Sequence, residues 1–317
     1  MLPKLKRRTA AEPAAVTKTT RPAGAFAIHN PLFRPPAEAD SLILQIDQGC
    51  PYNRCTFCGM YRQVRFHRRS MPEIQHLLDA ETRQARGVRR VFLADGDVMR
   101  RPFDELQAIL QALAQRLPEL ARVNVYATGR AIVDKTDQEL RALRAGKLQT
   151  LYLGLESGDE ETLRRVCKGE DAATMVESAR RAQACGLKIS AMVLLGLGGQ
   201  TRSGAHADAT ADALNRMQPR LLAALRVVPV PGTELHAAVR AGHFQQVTER
   251  GVIEEMRRLV AKLELTNTVF RANHSSNIVP LEARLPRDRQ ALLAQLDALL
   301  ASGVLNAEAP GPQPLWL

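Results

Sequence analysis

The regular alternation of strand-like and helix-like segments most constrains how this chain of 317 residues can fold. Short apolar runs, each suited to one buried strand, are followed by segments with apolar residues at helical spacing. Six such strand–helix units follow one another between residues 38 and 265. Because consecutive parallel strands are joined by right-handed crossovers, the pattern predicts an α/β fold with a parallel sheet.

The six predicted strands each end in a turn or a polar residue. They are residues 42–46, 91–94, 123–127, 150–155, 188–195 and 221–228. Two intervening helices begin with capping boxes, Ser70-Met-Pro-Glu73 and Thr136-Asp-Gln-Glu139, whose side chains satisfy free backbone N–H groups. In such sheets, function collects at the carboxyl ends of the strands, so the candidate residues are sought there.

The two ends of the chain differ from this central region. Residues 1–37 mix Pro, Ala, Thr and basic residues without periodicity, which predicts a basic, disordered tail. Residues 266–317 are predicted to form a small capping extension, with an amphipathic helix within 281–300 and a disordered, Pro-rich end. The chain is thus divided into a tail (1–37), a core (38–265) and an extension (266–317).

Composition and charge narrow the classes of protein. No apolar run reaches the length of a membrane span or of a signal-peptide core, and the odd number of cysteines suits a reducing cytoplasm. The net charge of +11 invites nucleic-acid binding, but residues 1–24 alone carry six basic residues against one acidic residue. Few aromatic residues are available for base stacking, so nucleic acid is not the favoured partner.

Three of the five cysteines, Cys50, Cys55 and Cys58, follow the first strand with the spacing C-x4-C-x2-C. A disulfide would leave one of these thiols over, whereas a metal or cluster satisfies all three. A structural zinc needs four ligands, and the nearest fourth donor is His67. An iron–sulfur cube held by three thiolates keeps one iron open for chemistry. The cluster is the favoured interpretation, and zinc or unligated thiols remain the alternatives.

These residues resemble the radical S-adenosylmethionine (SAM) superfamily, in which an aromatic residue, here Phe57, precedes the last cysteine. The commoner spacing there is C-x3-C-x2-C; the longer one occurs in the group of the elongator catalytic subunit, the methylthiotransferases and oxygen-independent coproporphyrinogen oxidase. The sequence resembles an uncharacterised branch of that group from Cys-Thr-Phe-Cys-Gly-Met-Tyr61 through Leu-Gly-Leu-Glu-Ser-Gly158. The resemblance implies a partial (β/α)6 barrel over residues 38–265, a 4Fe–4S cluster on the three cysteines, and SAM.

The resemblance also assigns residues to the parts of SAM. Gly96 and Asp97, after the second strand, match the segment that binds the amino group in these enzymes. Glu156, which ends the fourth strand, matches a ribose-binding position, and Lys168 stands where relatives place an Arg on the SAM carboxylate. For adenine, the resemblance points to Phe57 and to Gly196 in the glycine-containing segment after the fifth strand.

The implied reaction is reductive cleavage of SAM to a 5′-deoxyadenosyl radical that takes hydrogen from a substrate. Candidate substrate-binding residues are Arg130 and Arg226, near the ends of strands three and six, and Arg271, Asn273 and His274 in a polar segment (267–277) read as a loop. Expected partners are a one-electron donor such as flavodoxin or ferredoxin and a small-molecule substrate. The alternatives are a tRNA-modifying enzyme and a zinc-stabilised interaction module. Cys185 is predicted to pack structurally, and so is Cys167, for which a substrate-radical or redox role is the alternative.

Overall fold

The computed structural model describes residues 32–83 and 85–314. Its strands are β1 (Leu42–Gln45), β2 (Asp47–Gln48), β3 (His67–Arg68), β4 (Arg90–Ala94), β5 (Arg122–Ala127), β6 (Leu148–Glu156), β7 (Lys188–Leu195), β8 (Leu221–Arg226), β9 (Thr268–Ala272) and β10 (Leu281–Leu285). Its α-helices are α1 (Met71–Thr82), α2 (Phe103–Arg116), α3 (Gly129–Val133), α4 (Asp137–Ala145), α5 (Glu160–Arg165), α6 (Ala172–Ala184), α7 (Gly199–Met217), α8 (Glu234–Arg240), α9 (Glu249–Lys262) and α10 (Arg289–Ala301).

The main sheet has the strand order β1-β4-β5-β6-β7-β8-β9-β10, and it is parallel from β1 to β9. All six predicted strands are present, and the predicted α/β class is confirmed. The two capping boxes are also present, with Ser70 and Thr136 each accepting from the backbone three residues on. Because successive strands are neighbours and the crossovers share one hand, the helices cover a single face of the sheet.

The segment read from the sequence as a polar loop was interpreted wrongly. Residues 268–272 form β9, which pairs in parallel with β8, and β10 pairs with β9 antiparallel. Phe270 is fully buried, whereas its neighbours Val269 and Arg271 are only half-buried. This alternation is expected of a strand, because successive side chains point to opposite faces of the sheet. The C-terminal helix occupies residues 289–301 only, so the predicted extension begins by adding two strands to the sheet.

Most of the predicted N-terminal tail, residues 1–31, lies outside the described residues, as do residues 315–317. The described part of the tail is tied to the sheet through a 3-10 helix, Pro36–Glu38. The Glu38 carboxylate is buried and accepts hydrogen bonds from Ser41, Asn124 and Tyr152. Among the described residues, no helix combines the length and the apolarity needed to cross a membrane.

The sheet has an outer face, covered by the helices, and an inner face on the opposite side. The outer face supplies the main core, which includes Leu93, Val125 and Leu153. On the inner face of β4–β6, the rings of Phe92, Tyr126 and Tyr152 pack edge to face. Further along the sheet, Ser190 of β7 is still buried, but the inner-face residues Met192 and Leu194 of β7 and those of β8 and β9 are only half-buried. This difference leaves one part of the inner face filled and the other open.

Candidate active site

The three clustered cysteines lie in a loop, residues 49–58, that follows β2 at the carboxyl end of β1. We call this segment the cysteine loop. Its first residue is held by the buried Asp95, whose Oδ2 accepts from Gly49 N at 3.3 Å and from Gln45 Nε2 at 2.8 Å. The other oxygen of Asp95 accepts from Tyr61 Oη at 3.3 Å. A single carboxylate after β4 therefore fixes the start of the loop.

The second half of the cysteine loop is held by Arg62. Its guanidinium donates to the Cys58 carbonyl at 3.2 Å and to the Cys55 carbonyl at 3.0 Å, and it forms an ion pair with Glu234 of α8. Backbone hydrogen bonds of Thr56 join the loop to Val166 at 2.9 Å and to Leu235 at 3.0 Å. These contacts join the loop to the end of α5 and to the start of α8.

The three thiols are half-buried. Burial raises the pKa of Cys55 to about 12; the Lys168 ammonium acts against this rise, and the Glu156 carboxylate and the other two thiols add to it. Asn53 N donates to Cys50 Sγ at 3.4 Å. Within the described residues no three His, Cys, Asp or Glu side chains are gathered tightly enough to hold a metal.

The turn after β4 packs directly against the cysteine loop. A Cβ atom at Gly96 would lie 2.4 Å from the Gly49 carbonyl oxygen and 2.6 Å from Cys50 Cα, so a side chain there is excluded. Asp97, 5% exposed, accepts from Thr128 Oγ1 at 2.6 Å through Oδ2, while its buried Oδ1 has no partner among the described residues. Burial raises the pKa of Asp97 to about 7. An unpaired buried acceptor is costly unless a donor reaches it.

Glu156 and Lys168 form an ion pair next to the cysteine loop. Lys168 Nζ lies 3.1 Å from Glu156 Oε1, and each side chain is 12% exposed. Burial disfavours the Lys168 ammonium, but Glu156 and Cys55 outweigh that cost and raise its pKa. Glu156 has φ +61° beside an irregularity of the β6–β7 register, which turns its side chain back over Gly154. The sequence placed the two residues in separate roles and did not predict their pairing.

The predicted adenine residues lie further along the same edge. Phe57 packs half-buried against a small apolar cluster that includes Leu197 and Leu235. Gly196, with φ +82°, donates its N–H to Glu255 Oε1 at 2.6 Å. Its amide is therefore occupied within the protein.

Glu255 belongs to a buried polar network that the sequence analysis missed. His206 Nε2 lies 3.5 Å from Glu255 Oε1, and His206 Nδ1 lies 2.7 Å from Ser157 Oγ. Burial raises the pKa of Glu255 to about 7 and lowers that of His206 to about 4. The available signal was an acidic residue within the apolar stripe of α9, next to Met256. The network connects the residue after Glu156 to the backbone of Gly196.

The predicted substrate residues separate into two groups. Arg226 donates through all three guanidinium nitrogens to the carbonyls of Ser276, Gly311 and Pro312, so it holds chain segments together. His274 Nδ1 contacts Ser276 within its own turn. Arg271 and Asn273, by contrast, sit on and just beyond the inner face of β9 and both approach Glu282, at 3.8 Å and 2.5 Å.

The remaining candidates lie away from this group. Arg130 is exposed at the start of α3, where its backbone N–H donates to Glu170. The prediction that Cys167 packs was wrong: with φ +52° the residue turns outward and is exposed, and its carbonyl accepts from Tyr52. Cys185 is buried as predicted. His67, the possible fourth zinc ligand, instead contacts Glu73 at 3.2 Å.

A cavity of about 470 Å³ adjoins the cysteine loop but contains none of the predicted site residues. It lies between α5, the start of α7 and α8, and its lining includes Thr56, Val166 and Phe244. The cavity is therefore separate from the place where Gly96, Asp97 and the Glu156–Lys168 pair lie near the cysteine loop.

Comparison with known proteins supplies the family. The profile of the radical SAM superfamily matches residues 44–209, which is more than half of the chain and includes the cysteine loop, Asp97, Glu156, Lys168 and Gly196. The chain belongs to the radical SAM superfamily. Comparison with curated proteins gives no match.

Among the solved structures to which this chain is similar, two have TM-scores of 0.50 and 0.51 and share its fold. Coproporphyrinogen III oxidase (HemN) from Escherichia coli is 14% identical with a TM-score of 0.50, over 82% of this chain and 52% of that one. The protein anSMEcpe, solved with AdoMet and a peptide, is 10% identical with a TM-score of 0.51, over 69% of this chain and 58% of that one. Methylornithine synthase (PylB) is 18% identical with a TM-score of 0.49, over 86% and 83%. This chain thus spans little more than half the length of the first two.

Family membership settles several expectations. The fold is the partial barrel of the superfamily, the protein is an enzyme, and its cofactors are those of the family, a 4Fe–4S cluster and SAM. The zinc-stabilised interaction module is therefore set aside.

Proposed function

We propose that this enzyme binds its 4Fe–4S cluster through Cys50, Cys55 and Cys58 and binds SAM between the cysteine loop and the carboxyl ends of β4, β6 and β7. The observation that carries the proposal is the convergence of distant residues on the loop. Gly96 packs against Gly49 and Cys50, and the Glu156–Lys168 pair acts electrostatically on Cys55. Residues that the resemblance assigns to the amino group, the ribose and the carboxylate of SAM thus lie next to the cysteine loop, which supports the proposal.

The donor set fits a cluster with one open iron. Three thiols share one loop, no fourth cysteine is near in sequence, and the loop is anchored at both ends by Asp95 and Arg62. Ligation would remove the thiol protons and supply the positive charge that three clustered thiolates need. When bound, the cluster and SAM supply one-electron cleavage of the sulfonium to a 5′-deoxyadenosyl radical, which takes hydrogen from an unreactive carbon.

The residues of the chain supply binding and orientation. The unpartnered Oδ1 of Asp97 suits the SAM ammonium, because a charged donor would satisfy a buried acceptor. Lys168 is proposed to attract the SAM carboxylate, and Glu156 to accept from the ribose hydroxyls. Their mutual ion pair holds both side chains in place before SAM arrives. This arrangement lowers the entropic cost of positioning SAM.

The substrate is proposed to be a small molecule, and the electron source a cytoplasmic one-electron donor such as flavodoxin or ferredoxin. The tRNA-modifying alternative draws on the resemblance to the methylthiotransferases and on the net charge of +11, of which residues 1–24 carry six basic residues against one acidic residue. We therefore do not favour it.

Anaerobic reconstitution tests the proposal. The reconstituted protein is expected to be brown with about four irons per chain, and to release 5′-deoxyadenosine when given SAM and dithionite. A variant with alanine at the three cysteines is the control and should do neither. Wild-type protein that holds a full cluster yet releases no 5′-deoxyadenosine, or a triple variant that keeps its iron, would contradict the proposal.

A further inference from the structure

The inner face of the sheet connects the proposed SAM site with Arg271 along one row of residues. The strand register places Gly154 beside Met192, Met192 beside Ala223, and Ala223 beside Arg271. Residues paired in this way point to the same face. A Cβ atom at Gly154 would touch both Glu156 and Lys168, so one end of the row lies at that ion pair. Arg271 stands three strands away, roughly 14 Å at the usual spacing between strands.

The row is open where a substrate would need room. Met192, Leu194, Ala223 and Leu225 are half-buried, although the residues that alternate with them, such as Val193 and Leu222, are fully buried against the helices. Leu194 packs against the small apolar cluster that includes Leu197 and Leu235, and the half-burial of all four residues shows that other described residues only partly fill the inner face of β7 and β8. We call the surface of these four residues the apolar trough. It offers an apolar floor between the Glu156–Lys168 pair and Arg271.

Arg271 lies at the far end of the trough and has an N–H group without an acceptor among the described residues. Its side chain is 38% exposed, and its nearest carboxylate oxygen, Glu282 Oε1, is 3.8 Å from Nε. That oxygen already accepts from Asn273 Nδ2 at 2.5 Å. The Nε atom is buried and has no hydrogen-bond partner among the described residues. An arginine fork left in this state matches the geometry of a carboxylate or a phosphate.

We propose that the apolar trough and Arg271 bind a substrate with an apolar body and a terminal anionic group, carboxylate or phosphate. The anionic group pairs with Arg271, and the apolar body crosses β8 and β7 toward Glu156. This inference rests on the proposed function, because the reaction at the other end of the trough depends on SAM bound near Glu156 and Lys168. It adds the class of substrate, which the family does not fix.

Calorimetry with chemically simple probes tests the trough on the anaerobically reconstituted enzyme. Decanoate and decyl phosphate represent the two sources of the anionic group, and decylammonium and decanol are probes of the same length with opposite or no charge. At least one anionic probe is expected to bind at least tenfold more tightly than decylammonium and decanol, since hydrogen bonds to charged groups are among the stronger ones. Which anion binds more tightly identifies the group.

The variants are Arg271→Gln, Arg271→Lys and, as the matched control, Arg284→Gln. Arg284 is an exposed arginine on the neighbouring strand whose partner across the register is Val269. Arg271→Gln should weaken binding of the anionic probe about tenfold or more, Arg271→Lys by less, and Arg284→Gln by less than twofold. Equal binding of decanol, no effect of Arg271→Gln, or equal losses in the two Gln variants would overturn the inference.

The same preparations are assayed for 5′-deoxyadenosine with SAM and dithionite, without any substrate. Release of 5′-deoxyadenosine together with charge-independent probe binding would reject the trough and leave the proposed function standing. Binding of the anionic probe through Arg271 without any SAM cleavage would do the reverse. Thermal unfolding of each variant excludes loss of the fold as the cause.

Discussion

Lys168 and Glu156 hold opposite charges 3.1 Å apart with little access to water. Removing one partner of such a pair leaves the other charge buried without a counter-charge, which destabilises the fold. Replacing both residues leaves no unpaired charge. We expect Lys168→Met to lower the free energy of unfolding by about 3 kcal/mol. The double variant Lys168→Met, Glu156→Gln should recover most of that loss in chemical denaturation.

Release of 5′-deoxyadenosine should stay low in both variants, because the groups proposed to hold SAM are missing even when stability returns. Arg180→Gln, at an exposed arginine of α6, is the control for a simple loss of positive charge. Recovery of SAM cleavage in the double variant would show that the pair only stabilises the fold.

Asp97 gives the cofactor-free protein a predictable pH dependence. Its carboxyl group has a pKa of about 7 in the folded chain against 3.8 ordinarily, because it is buried. Between these values the folded protein binds more protons than the unfolded chain, so this group makes stability fall as pH rises. Asp97→Asn removes that contribution.

The free energy of unfolding of Asp97→Asn relative to wild type should therefore rise between about pH 4 and about pH 8. Urea denaturation across this range measures it, and the comparison of two proteins cancels the other titrating groups, including Glu255. A difference that does not change with pH would mean that Asp97 is ionised throughout.

At the scale of elements, α7 and α9 meet the sheet through a buried polar network rather than through apolar packing alone. Glu255 of α9 accepts from Gly196 N at 2.6 Å and from Ser203 Oγ, and it lies beside His206. Glu255→Met would leave these donors buried without an acceptor, at roughly 1–3 kcal/mol each. Glu255→Gln keeps one acceptor oxygen.

We expect Glu255→Met to weaken SAM binding and Glu255→Gln to restore it in part, because the network fixes the backbone at Gly196 and the residue after Glu156. Equilibrium dialysis of SAM against the reconstituted variants measures this. A purely structural role would instead lower the melting temperature of Glu255→Met while leaving SAM affinity unchanged in the protein that remains folded.

The same elements show what a sequence can and cannot predict. The six strands and the cysteine motif were predictable because apolar runs, caps and short spacings are local signals. Strand β9 was missed because the polar residues after Phe270 resemble a loop, and pairing with β8 and β10, which is not visible in the local sequence, makes the segment a strand. The roles of Glu255 and Arg226 depend on which face of an element meets which neighbour. The Glu156–Lys168 pairing likewise depends on the turn at Glu156, where φ is +61°.

At the scale of the whole molecule, the chain after α10 returns to the carboxyl edge of the sheet. Glu249 N donates to the Ala309 carbonyl and Arg250 N to that of Asn306, which fixes this C-terminal segment, residues 305–314, along the start of α9. Arg226, only 7% exposed, then donates to the carbonyls of Gly311 and Pro312. Hydrogen bonds from Arg226 therefore connect the C-terminal segment to β8, the last strand of the predicted barrel.

Removal of residues 305–317 should lower the free energy of unfolding by roughly 2–4 kcal/mol, because a buried guanidinium loses two of its acceptors. Arg226→Met in the full chain should cost a similar amount. In the truncated chain the same substitution should cost much less, since the charge it removes is no longer paired there. The full chain, the truncated chain, Arg226→Met and the truncated Arg226→Met variant form a double-mutant cycle. Urea denaturation measures the free energy of unfolding of each protein. Strictly additive losses would mean that Arg226 and the C-terminal segment stabilise the enzyme independently, and that the segment is not held at the site by this residue.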